Sequence, residues 1–218
     1  MPAPLVSVIV CVRNGEKYLR EALDSIAGQG FEDMEVIVVD DGSNDDSVQI
    51  AKNHPLLPKI VSQEPLGLGA ALNHGIHIAR GRFLAFLDCD DVWPSGRLET
   101  MLAVFKYNPD KDCIFGRTVN TNEHLEQIGP PLPARVFGAM LIKRESFLKI
   151  GELRTDVAHG VVVDWHSRAT LMSLKFHGLD DVLLLRRIHD DNMGIRDRHR
   201  AKADLLRIIR DHQTRKRQ

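Results

Sequence analysis

The chain has 218 residues, 43% of them hydrophobic and 27% charged, the composition of a globular domain, which excludes a mostly disordered chain. No run of eighteen apolar residues occurs, so no membrane-spanning helix is expected. The first residues carry no basic stretch ahead of the apolar segment Leu5–Val12, as a secretory leader would. A formal net charge of −1 argues against a general nucleic-acid binder. That figure hides an asymmetry: Arg186 to Gln218 hold eleven Lys/Arg against five Asp/Glu, a net of +6, which leaves −7 for the rest. The three cysteines, Cys11, Cys89 and Cys113, form no CxxC, and each adjoins strand-like sequence. They read as idle thiols of a reducing compartment, which makes the cytoplasm the expected location and zinc an unexpected metal.

In chain order, Leu5–Val12 is a near-continuous apolar run, the pattern of a strand buried on both faces. Leu19, Ala22, Leu23 and Ile26 then recur at helical spacing, and Gly28 and Gly30 end that helix. Residues 35–40 are a second buried strand, followed by the turn cluster Asp41-Gly42-Ser43-Asn44. A short helix over 47–53 and a short strand over 59–62 precede Gly67-Leu68-Gly69 and a helix through Ala71, Leu72, Gly75, Ile76 and Ala79. Residues 82–88 form another buried strand, and Pro94 is placed to start a helix carrying Leu98, Met101, Leu102 and Phe105. Alternating strands and helices to about residue 107 predict right-handed βαβ units and an α/β fold. Beyond it the spacing predicts strands over 113–119, 136–142 and 182–185, with helices over 163–176 and 201–212.

The aspartates gather at strand ends: Asp40-Asp41 after the second strand, Asp88, Asp90 and Asp91 after the fourth. Ligands of open α/β sheets bind beyond the carboxyl ends of the strands. Carboxylates brought together there need a cation or hydrogen-bond donors between them. A hard ion such as Mg²⁺ or Mn²⁺ takes oxygen ligands and bridges carboxylates to phosphates. Asp110-Lys111-Asp112 has the same spacing but follows Asn108-Pro109, in a turn, and reads as solvated. Gly67-Leu68-Gly69 lacks the third glycine of a dinucleotide fingerprint and follows a late strand, so it reads as a point of close backbone approach.

The order of elements closely resembles the family 2 glycosyltransferases of the GT-A fold. The residues that carry the resemblance are VSVIV (6–10), NGEKYL (14–19), VVDDGS (38–43), Gly67-Leu68 with Asn73, ARGRFLAFLDCDDVW (79–93) and RLE (97–99). A weaker match follows in IKRESFLKIG (142–151), Asp164-Trp165, Arg187-Ile188-His189 and Asn192. The resemblance implies a single GT-A domain over 1–218, with an open, mostly parallel mixed sheet flanked by helices. Within it, residues 1–107 would be the nucleotide-sugar half, 108–195 the acceptor half and 196–218 a basic C-terminal helix.

The implied activity is transfer of a sugar, with inversion, from a nucleoside-diphosphate donor, often UDP-linked. Cys11 and Asn14 would border the base, Asp41 would accept from a uracil N–H, Asp88 would lie by the ribose, and Asp90 would bind Mn²⁺ or Mg²⁺. Asp91 would orient the loop or hold a water on the ion. A cation at Asp90 would neutralise the leaving diphosphate, so only the acceptor side needs a base. Asp164 is the candidate base, with Trp165 a wall for the sugar, but Val163 stands where many relatives carry Glu. If that Glu were the essential acid, Asp156 is the substitute. Arg187 and His189 would face the diphosphate, His189 also being a candidate third metal ligand. Asn192 and Gly194 read as loop formers, and Trp93 as packing beneath the metal loop.

A nucleotidyltransferase and a non-catalytic nucleotide-sugar binder are the rival readings; the first wants a better phosphate-gripping first loop than Arg13-Asn14-Gly15, and the second is suggested by Val163. The acceptor, whether saccharide, lipid-linked glycan, peptide or small molecule, is not legible. The basic C-terminal helix either contacts an anionic membrane or acidic partner peripherally, or docks with a solvated basic face; its short apolar stripe favours docking.

Overall fold

β1 (Val6–Val12) is the strand on which the structure is built. This computed structural model describes residues 3–133, 135–192 and 197–216, so Gly194 lies outside the described residues. β1 pairs in parallel with β2 (Met34–Asp40) on one side and β4 (Phe83–Asp88) on the other. β3 (Lys59–Ser62) extends the sheet beyond β2, again in parallel. Flanked on both edges and covered on both faces, β1 is apolar along nearly its whole length. Val6, Val8 and Val10 share one core with Leu19, Leu23 and Ile26 of α1 (Leu19–Ala27) and with Leu98, Met101 and Phe105 of α4 (Arg97–Tyr107). Ile9 points the other way, as strand alternation requires, and packs with Ala71, Leu72 and Ile76 of α3 (Leu68–Ile78). Gly75 makes that second contact possible, because a Cβ there would sit 2.6 Å from Ile9. The short α2 (Ser47–Lys52) connects β2 to β3.

The second half of the chain continues the same sheet with mixed directions. The order is β3-β2-β1-β4-β7-β5-β6, and β8 pairs with β5 off that path. β5 (Cys113–Thr121) and β7 (Met140–Lys143) are antiparallel, as are β7 and β4; β6 is only Leu132–Pro133. β8 (Phe176–Arg187) runs parallel to β5 with a register irregularity around Arg117. α5 (Arg144–Ile150), α6 (Val161–Leu171) and α7 (Arg198–Arg215) complete the described helices.

The first half follows the sequence reading closely, as does the α/β class with its mostly parallel open sheet. The second half departs from it chiefly at three points, and the first half at one. The strand expected over 136–142 is a 3-10 turn, Phe137–Ala139, followed by β7. α5, which was not expected, follows immediately. The helix expected to run to residue 176 ends at Leu171, and Phe176 instead opens β8, twelve residues long rather than the four expected. The helix after Pro94 starts at Arg97, because Gly96 takes the left-handed conformation ahead of it. Along β8 the polar residues at 177–181 interrupt the period on which a sequence-based assignment depends.

Arg97 joins the two halves from inside the core. Its side chain is 1% exposed and donates to the carbonyls of Leu183 (3.0 Å), Gly138 (3.1 Å) and Met140 (2.8 Å). Its guanidinium lies 3.9 Å from the centre of the Trp93 ring, and Trp93 Nε1 donates to the Gly138 carbonyl at 3.1 Å. Trp93 is thus packing beneath the loop that follows β4, as its sequence context suggests. Desolvation lowers the Arg97 pKa to about 9. Arg97→Ala removes one donor from each of three buried carbonyls, leaving Gly138 only that of Trp93, and opens a cavity; we expect a loss of about 3 kcal/mol in urea denaturation, with an unchanged m-value.

Candidate active site

Strand register assembles the site. Val12 lies opposite Asp40, and Cys11 lies opposite both Val39 and Asp88, so the ends of β2 and β4 flank the end of β1. Such a crevice at the carboxyl edge is where open α/β sheets bind ligands. Asn14 stands just beyond, with φ of 53°, its amide donating to Ser43 Oγ and its Oδ1 accepting from the Asn44 amide. These bonds tie the loop after β1 to the loop after β2. Cys11 is half-buried, and burial followed by the charges of Asp88 and Asp41 pushes its pKa up, which keeps it a thiol.

Asp41 is buried and belongs to the wall of the crevice. Its Oδ1 accepts from Gln63 Nε2 (2.8 Å) and from the Leu66 amide (2.9 Å), and its Oδ2 from the Gly67 amide (2.9 Å). A carboxylate oxygen has two acceptor sites, so Oδ2 keeps capacity for a further donor. Gly67 has φ of +92°, and a Cβ at Gly69 would lie 2.1 Å from the Arg154 carbonyl oxygen. The close approach foreseen at this glycine pair is therefore to the protein's own backbone.

Beyond β4, carboxylate oxygens of Asp88, Asp90 and Asp91 come within 4.8 Å of one another. Asp91 is buried and its Oδ1 accepts from the Arg187 amide at 2.9 Å. Desolvation and then the Asp90 charge raise the Asp88 pKa to about 6. Asp91 is pushed up as well, by desolvation and then by Asp88 and Asp90. Three crowded oxygen-donor carboxylates fit a hard divalent cation, which relieves the repulsion that raises these proton affinities.

His189 reaches this cluster from the other half of the chain. Its Nε2 is 3.0 Å from Asp90 Oδ2, which also accepts from Asn192 Nδ2 at 3.0 Å. Its ring packs against Tyr18 at 4.9 Å between centroids, and its buried Nδ1 has no hydrogen-bond partner among the described residues. Asn192, read from the sequence only as a loop former, is a direct partner of Asp90; nothing in its sequence context announces that.

Arg187 does not present its guanidinium to a diphosphate. It is 1% exposed; Nε donates to the Asp90 carbonyl (2.9 Å), Nη1 to the Glu123 carbonyl and Nη2 to Glu21. The guanidinium also sits 4.5 Å from the Tyr18 ring centre. All three nitrogens are engaged, so Arg187 holds the Asp90 loop in place. Its partners lie far away in sequence, and no local pattern marks them.

Asp164 is 0% exposed, and that environment is not one of a general base. Its Oδ2 accepts from Arg168 Nε (2.8 Å) and its Oδ1 from Arg215 Nη1 (3.0 Å), with Arg154 Nη1 3.8 Å away. An acceptor hydroxyl has no path to either oxygen. The substitute, Asp156, is bound by Arg154 and Arg207, and Arg154 foremost lowers its pKa to about 2. Trp165 is likewise 0% exposed and stacks on Phe147 at 4.9 Å, in the core rather than against a sugar. Val163, at the position of the missing Glu, is exposed. Asp164→Asn uncovers three facing guanidinium groups; we expect about 3 kcal/mol less stability in urea denaturation.

The sequence pattern of "Glycosyl transferase family 2" matches residues 7–163. The "Putative glycosyltransferase EpsH" of Bacillus subtilis is 43% identical over 105 residues, which are 47% of this chain and 30% of that protein. The "Chondroitin synthase" of Escherichia coli is 32% identical over 130 residues, 58% of this chain and 18% of that protein. The chain thus spans less than a third of either relative. Among solved structures, S. aureus TarS 1-349 in complex with UDP-GlcNAc superposes with a TM-score of 0.73 at 22% identity, covering 86% of this chain and 59% of that one. The mannosyltransferase PcManGT from Pyrobaculum calidifontis, in complex with GDP-Man and Mn²⁺, gives 0.74 at 22% identity, covering 97% and 64%. These likenesses show a GT-A-type fold, and with a family match over most of its length the chain belongs to glycosyl transferase family 2.

Proposed function

We propose that this protein is an inverting, metal-dependent glycosyltransferase that takes a nucleoside-diphosphate sugar, with uridine the preferred nucleoside. The observation that carries the reading is the set of three carboxylates within 4.8 Å at the edge of β4, with His189 and Asn192 on Asp90. Asp90 is the principal ligand in this reading, with His189 as a further ligand or as its hydrogen-bond partner. A bound Mn²⁺ or Mg²⁺ supplies Lewis-acid neutralisation of the diphosphate. Cys11 and Asn14 border the nucleobase, Asp41 Oδ2 accepts from its N–H, and Asp88 lies by the ribose. The acceptor hydroxyl attacks the anomeric carbon as the bond to the diphosphate oxygen breaks, and its proton leaves to a base. Asp164 serves as a structural anion in this proposal, and Arg187 as a positioning residue.

Residues 1–107 would hold the donor and 108–195 the acceptor, within one domain that carries 196–218 as its terminal helix. Three cysteines without a disulfide support a reducing compartment, the cytoplasm. No described helix is long and apolar enough to cross a membrane.

A second reading, a nucleotide-sugar binder without turnover, is favoured by one specific observation: the acid expected at 163 is a valine and Asp164 is sealed by arginines. Release of nucleoside diphosphate in the presence of acceptor separates the two. In thermal-shift titrations with UDP- and GDP-sugars, we expect stabilisation that requires Mn²⁺ or Mg²⁺ and is greatest with a UDP-sugar. Asp90→Ala should abolish it; metal-dependent binding that survives this change defeats the proposal.

A further inference from the structure

α7 is docked by one face, and its acidic residues are all on that face. Ile208 is 1% exposed in the core that contains Trp165. Asp204 Oδ2 accepts from the amides of Ala158 and His159, both at 3.0 Å. Asp211 pairs with Arg154, and Arg215 with Asp164. These contacts consume both carboxylates of the helix, Asp204 and Asp211.

The outward face is therefore of a single sign. Leu205, Leu206 and Ile209 are 41, 57 and 45% exposed. At 3.6 residues per turn they occupy one arc of about 100°. Lys202, Arg210 and Lys216 are exposed in or beside that arc, and no acidic side chain shares it. Docking thus leaves a second apolar stripe uncovered, ringed by cations. The docked helix expected from the sequence is present, and the solvated face expected with it is apolar at its centre.

We propose that this outward face of α7 docks peripherally on an anionic lipid surface, the three aliphatic side chains entering the interface and the cations meeting lipid phosphates. Charge complementarity selects the occupant. Lys202, Arg210 and Lys216 give the face its positive charge, while the residues before Arg186 carry a net of −7, so an anionic surface attracts this face and repels the body. That asymmetry orients the molecule, with α7 against the lipid. A helix with few apolar residues and many Lys/Arg lies in the plane of the interface and does not span it. The inference is independent of whether the protein transfers sugar.

The test is co-sedimentation of the full chain with vesicles of phosphatidylcholine alone or mixed with phosphatidylglycerol. We expect binding to the mixed vesicles at least about tenfold tighter than to neutral ones, weakening as salt is raised. Leu205→Ser with Leu206→Ser and Ile209→Ser should remove it. Lys202→Glu with Arg210→Glu should remove it separately, and both sets should keep the wild-type melting temperature, since these side chains face outward. Equal binding to neutral vesicles, or no binding to either, overturns the proposal. So does a dimer in sedimentation velocity that the serine variant dissolves, because a second copy would then be the occupant.

Discussion

Like-charge repulsion at the end of β4 is the constraint around which the site is arranged. Asp88, Asp90 and Asp91 stand within 4.8 Å of one another, at the mouth of a crevice that also holds buried Asp40 and Asp41. Such a cluster is tolerated only where donors surround it. They come from one short stretch of the other half: the Arg187 amide to Asp91, the Arg187 guanidinium to the Asp90 carbonyl, and His189 and Asn192 to the Asp90 carboxylate. The antiparallel bridge between Val92 and Leu185 brings that stretch alongside the loop. The second half of the chain therefore completes the carboxylate site rather than merely lying beside it.

Buried arginines do the joining. Arg97 binds three carbonyls of the second half from a helix of the first, and Arg187 returns to α1 through Glu21 and the Tyr18 ring. Asp164 gathers Arg168 of its own helix and Arg215 of α7. A planar guanidinium with several fixed donors suits this work, since one side chain can satisfy carbonyls on different elements at once. Most of the buried donors are paired, three of them on Arg187 and two nitrogens on Arg97, which offsets the cost of burying the charge and makes these residues structural despite their polarity.

How much was legible divides along the sheet. The parallel half read clearly, because strands covered on both faces leave unbroken apolar runs and helices between them leave a regular period. The position of Asp88 and Asp90 at a strand end also read clearly, since they close such a run. The edge of the second half read poorly. Residues 177–181 of β8 mix His, Gly, Leu and Asp, and without a buried face on both sides no pattern distinguishes them from a loop. Asp164 was misjudged for a related reason: its sequence neighbourhood is that of a helix start, and the Arg215 that closes it is 51 residues away.

The sequence by itself determined the fold class, the order of elements through residue 107 and the family, because all three rest on local periodicity and on motifs that are contiguous in the chain. It also determined that acidic residues collect at strand ends and basic ones after Arg186. Tertiary structure alone decided which of those charges are available. It pairs His189 and Asn192 with Asp90, encloses Arg187 and Asp164 among their partners, and turns both carboxylates of α7 inward while leaving its leucines outside. Availability is a property of what surrounds a side chain, and those surroundings come from residues distant in the chain, 46 positions for Asp204 and Ala158 and 166 for Arg187 and Glu21, whose approach no local pattern encodes.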